Sequence, residues 1–350
     1  MPAGHPQKIL ILKPSSLGDV IHALPVLRLL KKRFPASQIY WWLASDLLPL
    51  LEGDPDLSGL FPFYRRRWKS PMDWLVLIRS IRQIRKKKFD WIIDLQSLAR
   101  SALVAWLANG TLTVGLDDFR EGASTFYDVT IPRGAADVHA VDWYLKTLPQ
   151  LEVPVHWEFD WLPLRADILA GIQHKWHPGN ENWIVLHPGA RWPNKRWPVE
   201  NYGGLVRELI SSGLPLRFAI LGAKSDKALG AAIHTAAPEH CLDLTGQTSL
   251  SEMIEWIRLA RVMVTNDTGP MHVAAALDKP VVAVFGPTNP SRTGPYRQIQ
   301  HIQRADLPCV PCMQSKCQNT YPLECLRLIR PASVALEVIW RMKAQTRQGG

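Results

Sequence analysis

Short apolar runs alternate along this chain with longer segments whose apolar residues recur every three or four positions. A run of four to eight apolar residues is typical of a buried strand, and the longer spacing is typical of an amphipathic helix. The predicted strands are KILIL (8–12), QIYWWLA (38–44), WIIDL (91–95), WIVLHP (183–188), LRFAILG (216–222), CLDLTG (241–246), RVMVTN (261–266) and PVVAVFG (280–286). The predicted helices are 19–33, 72–88, 97–108, 199–211, 224–236, 250–260, one from about 269, and 331–345.

This alternation predicts right-handed strand–helix–strand units and parallel sheets. It occurs twice, separated by the extended segment LEVPVHWEFDWLPL (151–164), and 350 residues are too many for one ordinary core. We therefore predict an α/β protein with two Rossmann-like domains, at 1–160 and 161–330, whose parallel sheets face a central cleft. The helix within 331–350 is expected to pack back on the N-terminal domain.

Composition indicates a soluble globular protein with anionic partners. The chain is 47% hydrophobic and 21% charged, with a formal net charge of +10, which favours nucleic acid, phosphorylated metabolites or an anionic membrane face. No RNA- or DNA-binding motif accompanies the basic segments, so nucleic acid is not the predicted partner. No apolar run approaches the roughly 20 residues that cross a bilayer, and the N-terminus lacks the layout of a secretory signal. We expect a cytoplasmic location.

One predicted strand leads directly into a small polar turn and a carboxylate, in ILKPSSLGDVIHALP (11–25). Asp19 falls where a helix begins, and Asp is a good N-cap because it accepts hydrogen bonds from the first helical turn. A carboxylate beyond the C-terminal end of a parallel strand also faces the crevice in which α/β proteins bind ligands. The stretch alone leaves both roles open.

A second strand–turn–helix motif is VTNDTGPMHVAAAL (264–277). Thr268 and Gly269 begin the predicted helix, whose free N–H groups can bind a phosphate. Asp267 could hold sugar hydroxyls, and His272 lies one turn beyond Thr268 on the same helix face. The structural alternative is a capped helix whose histidine satisfies a core acceptor.

The loop after the strand at 183–188 is rich in cations, in LHPGARWPNKRWPVENY (186–202). It follows Gly189 and contains Arg191, Lys195 and Arg196 between two tryptophans. Cations beyond the carboxyl end of a strand can neutralise a departing diphosphate, and Lys195 is the predicted contact. The alternative is a solvated basic loop packed on its tryptophans.

Two further basic segments lie in the first half, YRRRWKS (64–70) and RSIRQIRKKKFD (79–90). The first has the cations Arg65, Arg66, Arg67 and Lys69 after a predicted strand, which suits phosphate on an acceptor. The second is interpreted as a solvated helix face that also attracts anionic lipid.

Four cysteines lie close together near the C-terminus, in CVPCMQSKCQNTYPLEC. They are Cys309, Cys312, Cys317 and Cys325. A C-x2-C pair followed by two thiols could hold a structural zinc, although the spacing is looser than in a zinc ribbon.

Taken together, KPSSLGDVIHALP, RWPNKRWPVENY and NDTGPMHVAAALDKPVVAVFGPTNPSRTGPY resemble the heptosyltransferase family of lipopolysaccharide core assembly. The resemblance spans both halves in the same order. It implies an inverting glycosyltransferase of the GT-B type that transfers heptose from ADP-heptose to a lipid-linked, anionic inner-core acceptor. No cofactor is implied, and the enzyme would contact the inner face of the cytoplasmic membrane.

The resemblance also implies residue roles. Asp19 would be the general base that deprotonates the acceptor hydroxyl. The donor site would comprise Gly189, Arg191, Lys195, Asp267, Thr268, Gly269 and His272. The acceptor site would comprise Ser16, Gly18, Arg65, Arg66, Arg67, Lys69, Arg120 and His139. A base on one side of the anomeric carbon and charge stabilisation on the other are what a single inverting displacement needs.

Catalysis is expected to need no metal, because cations and a helix start can stabilise the diphosphate. Other glycosyltransferases hold a metal with an Asp-x-Asp pair, and DPD (54–56) has that spacing. It lies in a polar turn before Gly59, so we interpret it as a turn. Two alternative functions stay open: a nucleotide-sugar epimerase of the same architecture, and a non-enzymatic basic module that binds anionic membrane or nucleic acid.

Overall fold

The computed structural model describes residues 5–64, 71–118, 121–135 and 137–348. The chain divides into two compact units, Met1–Pro163 and Leu164–Gly350. Each unit contains a six-stranded sheet in which every strand pair is parallel. The predicted α/β class with two Rossmann-like halves is confirmed.

The first unit has the strand order β3-β2-β1-β4-β5-β6, the doubly wound order of a Rossmann fold. Its strands are β1 Lys8–Leu12, β2 Gln38–Ala44, β3 Gly59–Phe63, β4 Trp91–Asp94, β5 Leu112–Asp117 and β6 Val129–Pro132. Its helices are α1 Leu17–Arg33, α2 Leu48–Leu51, α3 Pro71–Lys86, α4 Ala99–Ala108 and α5 Ala140–Leu145.

The second unit repeats this topology, with the order β12-β11-β10-β7-β8-β9. Its strands are β7 Asn182–His187, β8 Leu216–Ile220, β9 Cys241–Asp243, β10 Val262–Asn266, β11 Val281–Phe285 and β12 Ile302–Arg304. Its helices are α6 Ala166–Trp176, α7 Val199–Ser211, α8 Lys227–His234, α9 Leu250–Leu259, α10 Gly269–Ala276, α11 Pro290–Thr293, α12 Glu324–Arg327 and α13 Pro331–Gln348.

The most apolar strands are the central ones. β1 lies between β2 and β4, and its residues Ile9 to Leu12 are fully buried. A strand of a parallel sheet that is covered on both faces has no polar side, so its sequence is a continuous apolar run. This is why the strongest sequence signals mark the centres of the two sheets.

Elements nearer the sheet edges have weaker signals. The sequence analysis did not predict β5, β6 or β12, nor the helices α5 and α6. β6 and β12 are edge strands of four and three residues with a polar or half-buried face. The strand predicted at 241–246 ends at Asp243.

The last helix, α13, belongs to the second unit. It packs on α7, and its residues Val334, Ala335 and Val338 are part of the apolar core beneath β7 and β8. The predicted packing on the N-terminal domain stays a prediction. Among the described helices, none combines the length and the apolar character that crossing a membrane requires.

Candidate active site

Each sheet has one place where the strand order reverses, between β1 and β4 and between β7 and β10. Ligands of open α/β sheets bind outside the carboxyl ends of the strands at this point. The residues after β1 lead to Asp19, those after β7 to Lys195, and those after β10 to Asp267. The fold therefore puts the three predicted residues where a doubly wound sheet binds ligands.

Asp19 lies in the first turn of α1 but is not its N-cap. The helix begins at Leu17 with Ser16 as N-cap, and Asp19 is the third helical residue. Asp19 Oδ2 accepts from the Ser16 backbone N at 2.8 Å and from Ser16 Oγ at 2.7 Å, so the carboxylate caps the helix from inside. The N-cap interpretation of Asp19 was wrong, because the helix starts two residues earlier than predicted. The side chain is half-buried.

Two buried groups adjoin Asp19 that the sequence analysis did not single out. Tyr144 on α5 is buried, and burial, followed by the charge of Asp19, raises the pKa of its hydroxyl well above the ordinary value. Lys13 Nζ donates to the Leu95 carbonyl at 2.8 Å and lies 4.7 Å from the centroid of the Tyr144 ring. Burial lowers the pKa of Lys13, and the negative charges of Asp19 and its neighbours oppose that shift.

His139 lies at the start of α5 and helps to hold that end of the helix. It is the N-cap of that helix, where its Nδ1 accepts from the Val141 backbone N at 3.2 Å. Its ring meets His22 of α1 edge-on, with centroids 5.1 Å apart. Gly18 is buried and Ser16 is exposed. Their predicted roles in acceptor binding stay predictions.

Five predicted acceptor-site cations lie outside the described residues. They are Arg65, Arg66, Arg67, Lys69 and Arg120.

In the second unit, an ion pair joins the two predicted donor-site segments. Lys195 Nζ lies 2.5 Å from Asp267 Oδ2, and Thr288 Oγ1 donates to the same oxygen at 2.6 Å. Asp267 and Thr288 are buried, whereas Lys195 keeps 18% of its side chain exposed. The lysine also lies 4.9 Å from the centroid of the Trp192 ring. The sequence analysis predicted Lys195 and Asp267 but not Thr288.

Buried amides fix the loop that carries Lys195. Asn266, at the end of β10, accepts from the Trp197 backbone N at 2.9 Å and donates to the Pro188 carbonyl at 2.7 Å. Asn194 Nδ2 donates to the Gln314 carbonyl at 2.8 Å. Both ends of the loop and its tip are therefore held by specific hydrogen bonds.

The start of α10 has the predicted form. Thr268 is its N-cap in an extended conformation, Gly269 is its first residue, and both are half-buried. His272 lies buried on the same helix. Arg191 is exposed on the loop between β7 and α7.

The four C-terminal cysteines line one cavity of about 230 Å³. They are free thiols, and burial together with the neighbouring cysteines raises the pKa of Cys325 to about 11. In the part of the chain that the structure describes, no group of three or more His, Cys, Asp or Glu side chains is arranged to hold a metal ion. The four thiols of the zinc hypothesis, Cys309, Cys312, Cys317 and Cys325, therefore share a cavity but are not arranged as a set of metal ligands.

The Asp-x-Asp pair before β3 is engaged by a buried arginine. Arg28 lies 2.5 Å from an oxygen of Asp54 and 2.7 Å from one of Asp56. Both carboxylates lie in the short segment between α2 and β3. The interpretation of this pair as a structural turn agrees with these contacts.

Two Rossmann-like units with these groups at their strand ends are typical of GT-B glycosyltransferases. Residues 77–321 match the model of glycosyltransferase family 9 (heptosyltransferase), and the chain belongs to this family. It is a glycosyltransferase, so the predicted class of enzyme is confirmed over the non-enzymatic alternative.

Relatives match over almost the whole chain. Lipopolysaccharide heptosyltransferase 1 of Pseudomonas aeruginosa is 32% identical over 322 residues, which cover 89% of this chain and 87% of that protein. The structure of E. coli ADP-heptose LPS heptosyltransferase II is 25% identical with a TM-score of 0.75, and the match covers 97% of this chain and 99% of that one. A family 9 glycosyltransferase from Veillonella parvula has the same fold, with a TM-score of 0.83 at 23% identity over 98% of this chain and 99% of that chain.

Proposed function

We propose that this enzyme transfers heptose from ADP-heptose to a lipid-linked inner-core lipopolysaccharide acceptor, with inversion at the anomeric carbon. The names of the Pseudomonas aeruginosa and E. coli relatives support the donor and the acceptor class. The observation that carries the proposal is the ion pair of Lys195 and Asp267 at the strand ends of the second unit. It holds a cation where doubly wound sheets bind phosphates.

Asp19 is the proposed general base. Its carboxylate takes the proton of the acceptor hydroxyl while the hydroxyl oxygen attacks the anomeric carbon and the bond to the diphosphate breaks. The products are the glycosylated acceptor, ADP and a protonated Asp19, which then returns its proton to water. Asp19 lies in the first unit and Lys195 in the second.

Lys195 and the start of α10 are proposed to stabilise the diphosphate. An ammonium group has three donors, so Lys195 can keep Asp267 as a partner while it binds a phosphate oxygen. The backbone N–H groups at Thr268 and Gly269 add the positive end of the helix. Gly189, Arg191 and His272 complete the proposed donor site.

The reaction is proposed to proceed without a metal or other cofactor. The support is that both carboxylates of the Asp-x-Asp pair are already bound to Arg28. On the acceptor side, we propose that Arg65, Arg66, Arg67, Lys69 and Arg120 bind anionic groups of the lipid-linked glycan. The enzyme would therefore work on the cytoplasmic face of the membrane, in peripheral contact with it.

Two substitutions separate the proposed roles. We expect Asp19→Asn to lower kcat by about 10²–10⁴-fold with ADP affinity unchanged, and Lys195→Met to raise the Kd for ADP at least tenfold. Transfer is measured with ADP-heptose and a heptose-free lipid acceptor, and ADP binding by calorimetry. Asp46→Asn and Lys227→Met are matched controls at exposed positions. Wild-type turnover by Asp19→Asn would show that another group is the base.

A further inference from the structure

The mechanism proposed above gives no role to the buried threonine that follows β11. Thr288 is 6% exposed, and its Oγ1 donates to Asp267 Oδ2 at 2.6 Å. The ammonium group of Lys195 contacts the same oxygen at 2.5 Å. Two donors, one neutral and one charged, therefore converge on a single oxygen of the Asp267 carboxylate.

The strand order explains how these three side chains meet. β10 lies between β11 and β7, and both pairings are parallel, so the carboxyl ends of the three strands share one edge of the sheet. Asp267 follows β10, Lys195 lies on the loop after β7, and Thr288 lies on the loop after β11. The carboxylate is thus held from the strands on both sides of its own.

One segment of backbone fixes both of these loops. The Met313 backbone N donates to the carbonyl of Pro287, the residue before the threonine, at 2.7 Å. The carbonyl of the next residue, Gln314, accepts from Nδ2 of Asn194, the residue before the lysine, at 2.8 Å. Two consecutive residues therefore hold the immediate neighbours of both donors.

We propose that Thr288 is a positioning residue for the pair of Lys195 and Asp267, whose hydroxyl fixes the carboxylate so that the ammonium group stays available to the diphosphate. The inference rests on the proposed role of Lys195 in binding the donor. A hydroxyl has a single donor hydrogen, and that of Thr288 is directed to Asp267. The threonine therefore acts on the diphosphate through the pair.

The consequence of losing this hydroxyl follows from the needs of a buried carboxylate. Asp267 is buried, and a buried acceptor that loses a donor must be satisfied by another. Lys195 already contacts it, so the carboxylate would turn further toward the lysine and engage more of its three hydrogens. Fewer of them would remain for a phosphate oxygen, and ADP would bind less tightly.

The test is the Kd for ADP across three substitutions of Thr288, measured by calorimetry. Thr288→Val keeps the shape of the side chain but removes the donor, and we expect it to raise the Kd about 3–10-fold. Thr288→Ser restores the hydroxyl and should bind ADP as the wild type does. Thr288→Cys has a weaker donor and should fall between them, so the series still measures the bond if the valine variant does not fold.

Thr245→Val is the matched control. Thr245 is 2% exposed, and its hydroxyl donates to Asp243 Oδ1 at 2.7 Å, so the second unit contains the same kind of bond elsewhere. Asp243 ends the edge strand β9, and neither residue belongs to the proposed donor site. We expect this variant to lose stability in urea but to keep the wild-type Kd. Equal losses of ADP affinity in the two valine variants would overturn the inference.

A double variant separates positioning from direct contact with the nucleotide. In the Lys195→Met background the ammonium group is absent, so Thr288→Val should have no further effect on the Kd. The inference is overturned if the threonine substitution costs as much there as in the wild type, if it costs nothing in the wild type, or if serine does not restore affinity. Wild-type affinity in Lys195→Met itself would instead refute the proposed role of the lysine, on which the inference rests.

Discussion

At the scale of single residues, Gly189 was predicted to contact the donor, but packing by itself explains why a glycine stands at this position. Its Cα adjoins the buried carboxylate of Asp226, and a Cβ built there would lie 2.4 Å from Oδ2 of that side chain. Asp226 accepts from the Ala223 backbone N at 2.9 Å and lies 3.9 Å from an Arg196 nitrogen. The absence of a side chain at 189 is therefore required by the Asp226 carboxylate.

We expect Gly189→Ala to lower the free energy of unfolding by about 1–3 kcal/mol, because a buried carboxylate must move away from its partners. Gly171→Ala is the control, since nothing lies within 4 Å of a Cβ at this position inside α6. There the substitution should raise stability by about 0.5–1 kcal/mol through helix propensity. Urea unfolding monitored by circular dichroism measures both, and equal effects would contradict the packing argument.

The residues that could be predicted from sequence are those held by their immediate neighbours. Asp19 follows a strand and a turn within one motif, and the start of α10 is likewise a local pattern. Partners that arrive from elsewhere in the chain leave no such signal. Lys195 and Asp267 are 72 positions apart, and Thr288 is a further 21 positions from Asp267.

At the scale of elements, the loop between β7 and α7 depends on the side chain that ends β10. Asn266 holds both ends of this loop through Pro188 and Trp197. Lys195 lies between the two held positions, so its place relative to Asp267 depends on these bonds.

We expect Asn266→Ala to raise the Kd for ADP about tenfold, which corresponds to about 1.4 kcal/mol, because the Lys195 loop loses both anchors. Asn182→Ala is the matched control. Asn182 also donates to a proline carbonyl, Pro215, and accepts from Arg261, but at the opposite end of β7. Calorimetry with ADP measures both variants, and circular dichroism checks that they fold. Equal affinities would show that the amide has no part in placing Lys195.

Strands and helices were predicted most accurately from the sequence where their residues are buried. β1 and β10 are central strands that are buried except at Lys8, and their apolar runs predicted them closely. α5 was missed because six residues with the sequence AVDWYL are too few to establish a helical period.

At the scale of the whole molecule, the same topology occurs twice with opposite chemistry at its strand ends. In the first unit the residues after β1 present a carboxylate, and in the second unit the loops after β7 and β10 present a cation paired with Asp267. A proton acceptor and an anion site are the two requirements of a single inverting displacement. The two units therefore share one topology, and a few loop residues give their strand ends different chemistry.

The net charge of +10 predicts that the enzyme binds anionic membranes electrostatically. We expect it to sediment with vesicles containing phosphatidylglycerol at low salt, to stay in solution with pure phosphatidylcholine, and to be released near 0.5 M NaCl, because salt screens surface charge.

The exposed cations of α3 should contribute to this binding. At about 1 kcal/mol for each cation near an anionic surface, the double variant Arg82→Gln/Arg85→Gln should weaken the partition coefficient by roughly 10–30-fold. Both arginines are exposed on α3. Arg207→Gln/Lys227→Gln removes the same charge from exposed positions of the second unit, and we expect a smaller loss. Equal losses in the two double variants would mean that net charge alone attracts the protein to the vesicle, and that α3 does not face the lipid.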